Sequence, residues 1–178
     1  GKIVWSTRVG KAGVGFRPAY AADSVWVASA AGDLTRIDAR SGRRLWAIQV
    51  GRPLVAGVGS DGEVAVVATR EGSLVAFDAD GKQKWSTVVG SEVVTVPAVA
   101  DGVVIVRASD NRVSAFEADT GRRRWTFQRQ NPTLVLRQTA QPTIAGGAVF
   151  IGLPAGRLAS LSLTNGALRW EIAISQPK

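Results

Sequence analysis

Apolar positions along the chain alternate with polar or small ones at a period near two, and Gly or Asp-Gly interrupts the alternation about every eight to twelve residues. The stretches Asp23-Ser-Val-Trp-Val-Ala28, Asp61-Gly-Glu-Val-Ala-Val-Val67, Asp101-Gly-Val-Val-Ile-Val106 and Gly146-Gly-Ala-Val-Phe-Ile151 are short and rich in β-branched residues. Bounded by turn residues, they predict strands, and no window carries the spacing of an amphipathic helix. A second set, Gly32-Asp-Leu-Thr-Arg-Ile-Asp38, Gly72-Ser-Leu-Val-Ala-Phe-Asp78, Asn111-Arg-Val-Ser-Ala-Phe-Glu117 and Gly156-Arg-Leu-Ala-Ser-Leu-Ser162, predicts the following strand. Both parities of that strand are apolar, with Leu74 and Ala76 on one side and Val75 and Phe77 on the other. A strand of this kind is covered on both faces.

The two sets belong to one repeat. Each is followed by Gly-x-x-x-Trp, at Gly42 to Trp46, Gly81 to Trp85, Gly121 to Trp125 and Gly166 to Trp170, with a fifth copy from Gly1 to Trp5. The motif takes five of the six tryptophans and returns about every forty residues, the blade period of a β-propeller. One unit therefore reads as a short strand near Pro18, Gly57, Pro97 or Pro142, a turn, the β-branched strand, a Gly turn, the doubly covered strand, a second turn and the Trp strand. The expected architecture is all-β, a single domain over 1–178, with four-stranded antiparallel blades at 6–46, 47–85, 86–125 and 126–170 after an orphan Trp strand at 1–10. Starting and ending on Trp strands fits a closed four-blade ring, the orphan strand completing the last blade, or part of a larger ring; four blades being the small extreme, the larger ring is expected, with two apolar blade faces that invite self-association or a partner.

Composition narrows the chemistry. With 46% apolar and 20% charged residues the 178-residue chain is not a disordered segment. It has no Cys and no His, which removes thiolate nucleophiles, disulfides and the commonest metal ligand. Asp38, Asp78 and Glu117 recur at one turn of the unit, so they read as carboxylates holding backbone N–H groups and not as acid or base catalysts. No catalytic residue, cofactor or metal is expected, and Asp110-Asn111 reads as an Asx turn. The net charge of +8 raises nucleic acid as a partner, yet Arg122, Arg123 and Arg124 alternate in direction on a strand start without aromatic platforms and read as solvated turn residues. No apolar run approaches the roughly 18 residues of a membrane-spanning helix, and Gly1-Lys2-Ile3-Val4-Trp5 does not read as a signal peptide. Trp26, outside the motif, replaces a strand hydrophobe or stands at a rim.

The repeat breaks at one place. From Trp to the Pro of the next unit is longer between Trp125 and Pro142 than between Trp5 and Pro18 or Trp85 and Pro97, and the insertion carries Leu134, Val135 and Leu136 beside Arg137. These leucines either tuck under the loop or form an apolar knob with an adjacent cation, the composition of a protein-binding hot spot.

The sequence Phe116-Glu-Ala-Asp-Thr-Gly-Arg-Arg-Arg-Trp125 resembles the tryptophan-docking repeat of pyrroloquinoline-quinone-type propellers, over essentially the whole chain. More narrowly, Asn131-Pro-Thr-Leu-Val-Leu-Arg-Gln-Thr-Ala-Gln-Pro142 and Arg169-Trp-Glu-Ile-Ala-Ile-Ser-Gln176 resemble the BamB family, propeller lipoproteins of the outer-membrane β-barrel assembly machinery. That resemblance implies an eight-bladed ring of which this chain is about half. It also implies a noncatalytic scaffold on the periplasmic face of the outer membrane, tethered by a lipid on a Cys this chain lacks. The implied partners are the periplasmic domains of BamA, gripped through Leu134, Leu136 and Arg137, and unfolded outer-membrane protein clients, with no nucleic acid. The same docking repeat leaves two alternatives, a quinone- and Ca²⁺-dependent dehydrogenase and a sensor or scaffold propeller of another system.

Overall fold

The computed structural model describes residues 1–11, 13, 15–129 and 140–174. These residues form sixteen strands and no helix, in four antiparallel meanders. The first contains β1 (Ala19–Ala21), β2 (Ser24–Ala28), β3 (Asp33–Asp38) and β4 (Arg44–Gln49); the second β5 (Gly59–Ser60), β6 (Val64–Ala68), β7 (Ser73–Asp78) and β8 (Gln83–Val88). The third contains β9 (Ala98–Ala100), β10 (Val103–Arg107), β11 (Val113–Glu117) and β12 (Arg123–Phe127); the fourth β13 (Thr143–Ala145), β14 (Ala148–Leu153), β15 (Arg157–Ser162) and β16 (Leu168–Ala173). The innermost strands β1, β5, β9 and β13 are short and lie in series against one another, so the sheets radiate as blades. A Cβ at Gly59 would collide with the Pro97 carbonyl, which is how closely the inner strands approach.

The cores lie between blades. One apolar cluster joins the first two blades around Trp26, Leu34, Leu54 and Phe77; a second joins the middle two around Leu74, Trp85, Val104 and Phe116; a third joins the last two around Ile105, Trp125, Ile151 and Leu161. The middle blades have neighbours on both sides, so every residue of β6 and β10 is buried, whereas β2 alternates buried with half-buried. Leu74, Val75, Ala76 and Phe77 are all at most 4% exposed, as two apolar parities require. At the end of the array Leu168, Trp170, Ile172 and Ile174 are exposed, and at its beginning so are Ile3 and Val4.

Residues 1–10 pair with no sheet, in place of the expected orphan strand. A strand needs a ladder partner, and the described residues offer it none. Its tryptophan nevertheless docks as the others do. Every pairing of the third and fourth strands of a blade carries a register shift just beyond the residue that faces Trp: Arg36 opposite Trp46, Ala76 opposite Trp85, Ala115 opposite Trp125, Ser160 opposite Trp170. A bulge here re-aims the strand as the tryptophan leaves for the neighbouring blade.

Candidate partner-binding rim

The docking unit explains why Gly and Trp repeat together. Each indole Nε1–H donates to a carbonyl of the next blade: Trp5 to Ala39, Trp46 to Ala79, Trp85 to Ala118 and Trp125 to Leu163, at 2.8–2.9 Å. The ring then lies on the motif glycine of that blade, Trp5 on Gly42, Trp46 on Gly81, Trp85 on Gly121 and Trp125 on Gly166. All four glycines have φ between 70° and 84°, and a Cβ there would stand 2.5–3.2 Å from the ring. Positive φ and the missing Cβ are needed at once, so only glycine suits the seat. Trp170 has no such seat among the described residues; it is 41% exposed and leans on Phe150 with ring centres 5.9 Å apart.

The turn carboxylates beside these seats are structural. Asp38 accepts the Ser41 hydroxyl and backbone N–H, which hold its carboxyl below the usual range. Asp78 accepts the backbone N–H groups of Asp80 and Lys82. Glu117 departs from the expectation, because its longer side chain takes side-chain donors: Arg122 above all and Thr120 next hold it down to about 2, with Arg124 3.8 Å away. The three consecutive arginines are thus more than solvated turn residues. Arg122 and Arg124 share Glu117, and Arg123 donates to the Val89 carbonyl at 2.8 Å. Asp110 accepts both the backbone N–H and the side chain of Arg112 across Asn111, whose φ is 64°; this is the expected Asx turn. Burial alone would raise the Asp110 carboxyl, but the donors from Arg112 and Ser91 outweigh it and its net shift is downward. No group of three or more acidic residues among the described residues could hold a metal ion.

Trp26 is not at a rim. It is fully buried, edge-on to Trp46 at 5.5 Å, with the Arg36 guanidinium 4.8 Å over its ring. Arg36 and Trp46 both donate to the Ala79 carbonyl. This doubled tie across the first seam was not anticipated.

Leu134, Leu136 and Arg137 lie outside the described residues. The frame on either side of them is described. Arg129 leaves the end of β12 and pairs with Glu171 on β16, whose carboxylate also meets Arg157. Ala140, beyond the segment, faces Gly152, and the Gly152 carbonyl accepts Nη1 of Arg107 at 2.6 Å. Arg107 is 1% exposed, and burial lowers its pKa from the ordinary arginine value. Towards the axis, the inner strands with Arg17, Tyr20 and Gln141 line a cavity of about 420 Å³.

A family model described as outer membrane protein assembly factor BamB matches residues 1–55 and 30–178. The curated BamB of Bordetella pertussis is 39% identical over 99% of this chain. The chain belongs to the BamB family. It spans about half the length of the curated relatives it matches, 46% of the Bordetella BamB. The crystal structure of BamB from Moraxella catarrhalis superposes with a TM-score of 0.78 at 25% identity, covering 97% of this chain and 54% of that one. Quinohemoprotein alcohol dehydrogenase from Comamonas testosteroni superposes with a TM-score of 0.71 at 17% identity, covering 93% of this chain and 35% of that one. The second likeness is one of fold alone. Both the BamB family and the propeller architecture agree with the docking repeat read from the sequence.

Proposed function

We propose that this chain is part of a noncatalytic scaffold for outer-membrane protein assembly, acting at the periplasmic face of the outer membrane and binding the periplasmic domains of BamA through Leu134, Leu136 and Arg137. The observation that carries the reading is the 39% identity to a curated BamB over nearly the whole chain. Its chemistry agrees: the turn carboxylates are spent on backbone and arginine donors, and the sequence has neither Cys nor His. The inserted segment adds two leucines and a cation to a connection that is otherwise short, the kind of apolar anchor with a charged flank that carries binding energy. Unfolded outer-membrane clients would be held by strand addition at an open blade edge, where backbone hydrogen bonds accept many sequences. A lipid anchor supplied outside this chain would keep the scaffold at the membrane.

The test is Arg137→Glu, with affinity for the BamA periplasmic domains read by calorimetry. Weaker binding at an unchanged melting temperature is expected. Equal affinity would remove the segment from the interface. Crosslinkers placed along the blade rim should capture a nascent client, and capture of BamA alone would remove the client role.

A further inference from the structure

The turns that seat the tryptophans share a glycine but differ in the residue before it: Ser41, Asp80, Thr120 and Asn165 precede Gly42, Gly81, Gly121 and Gly166. The glycine is fixed by the seat, since φ at Gly166 is 74° and a Cβ there would stand 2.6 Å from the Trp125 ring. Asn165 therefore makes the one Asn-Gly pair in the sequence; Asn111 precedes Arg112 and Asn131 precedes Pro132. Asparagine is thermolabile because the backbone nitrogen that follows it can attack its carboxamide, and glycine, with no side chain in the way, leaves that nitrogen least hindered. Asn165 is exposed, whereas Gly166 is buried under the indole.

The folded turn engages both reacting groups elsewhere. The Gly166 N–H donates to the Ser162 carbonyl at 2.9 Å, and Asn165 Oδ1 accepts the Ala167 N–H at 3.1 Å. The Ser162 N–H closes the same turn by donating to the Ala167 carbonyl at 2.8 Å. Attack requires the Gly166 nitrogen to release its proton and to approach Asn165 Cγ, so both bonds must open first. Trp125 pins the turn shut: its ring lies on Gly166, it is 8% exposed, and its Nε1–H donates to the Leu163 carbonyl within the turn. Opening the turn is a local unfolding event whose cost is set by the joint between the third and fourth blades.

We infer that Asn165 is a deamidation site gated by the seating of Trp125, a chemical clock built into one joint of the array. The Gly166 nitrogen forms a bond to Asn165 Cγ as the Cγ–Nδ2 bond breaks and ammonia leaves with the amide proton; water then opens the cyclic imide. Opening at Cγ leaves aspartate, the residue that Asp80 supplies at this position in the second blade. Opening at the main-chain carbonyl leaves isoaspartate, whose backbone is longer by a methylene and moves Gly166 from under the ring. The joint then loosens irreversibly. The test is storage of the 178-residue chain at mildly alkaline pH, folded and in fully unfolding urea, with peptide mapping of the mass gain from NH2 to OH at residue 165 and enzymatic methylation to score isoaspartate. Folded protein should convert at least about tenfold more slowly than the chain in urea. Trp125→Phe keeps a ring but loses the bond to the Leu163 carbonyl, and should speed conversion several-fold in the folded protein. Trp85→Phe makes the same change one joint earlier, where the acceptor is the Ala118 carbonyl, and should leave the rate unaltered. The melting temperature should fall as isoaspartate accumulates, while Asn165→Thr, which copies Thr120, should show neither the mass gain nor the fall. No mass gain at residue 165 in urea would remove the site. Equal rates folded and in urea, or equal rates for Trp125→Phe and Trp85→Phe, would remove the gate, and an isoaspartate form that melts like the fresh protein would remove the clock.

Discussion

Replacing Gly121 by Ala tests the docking seam directly. Gly121 has φ 70° and is buried under Trp85, whose ring would lie 2.5 Å from an added Cβ. Two costs follow. Holding alanine in the left-handed region costs about 1–2 kcal/mol. Displacing an indole that is 8% exposed and hydrogen-bonded to Ala118 adds overpacking of about 1–3 kcal/mol. Gly102 separates the two, because it has the same φ of 70° with nothing within 4 Å of its Cβ position. Gly102→Ala should therefore show the strain alone, and Gly121→Ala should exceed it by about 1–3 kcal/mol. With urea slopes of about 1–3 kcal/mol/M, the midpoints should differ by roughly 1 M when unfolding is followed by tryptophan fluorescence. Gly81→Ala should fall between them, since its ring stands 3.2 Å away. Equal midpoints for Gly102→Ala and Gly121→Ala would refute the seat.

The remaining predictions concern other parts of the same frame. Glu117 has a carboxyl held at about 2 against an ordinary 4.5, so the stability it contributes is complete above pH 4.5 and is lost as the pH falls towards 2; Glu117→Gln should flatten the acid limb of a melting-temperature profile over that window. Trp125→Ala should cost about 3–5 kcal/mol, while Trp170→Ala should cost the 178-residue chain much less because its ring is 41% exposed and unseated; similar losses in urea unfolding would count against the docking geometry. Salt should weaken the binding ascribed to Arg137 more than it weakens folding, read by titrating the BamA domains at increasing ionic strength.

The sequence carried the blade because the features that build it are local and repeated. Gly-x-x-x-Trp marked the fourth strand and its seat, and the two apolar parities of Leu74 to Phe77 announced a strand with a blade on each side. What it did not carry are pairings between distant residues. Glu171 with Arg129 and Arg157, or Arg107 with the Gly152 carbonyl, join residues with no periodic relation. Trp26 and Arg36 are an intermediate case. They face each other across β2 and β3, where the other blades pair Val66 with Ala76, Ile105 with Ala115 and Phe150 with Ser160. A double departure at facing register positions was the available signal, visible only once the units were aligned by strand pairing. Glu117 was misjudged in one respect, since one extra methylene moves its carboxylate from backbone donors to Arg122. The segment proposed to bind a partner, Leu134 to Arg137, was singled out by its length and apolar content, and only the resemblance favoured an anchor over a tucked-in loop; it lies outside the described residues.

The docking runs one way round the array. Among the described residues four tryptophans, Trp5, Trp46, Trp85 and Trp125, act as bolts, and each fits the socket in the last turn of the blade that follows. Removing or duplicating one stretch from just after a Trp to the next Trp leaves every surviving bolt facing a socket of the same shape. The seam is thus a standard coupling, and copy number can change by whole blades without any interface being redesigned. The Arg129–Glu171 pair, by contrast, joins two residues of one junction, so a change in blade number there would break it.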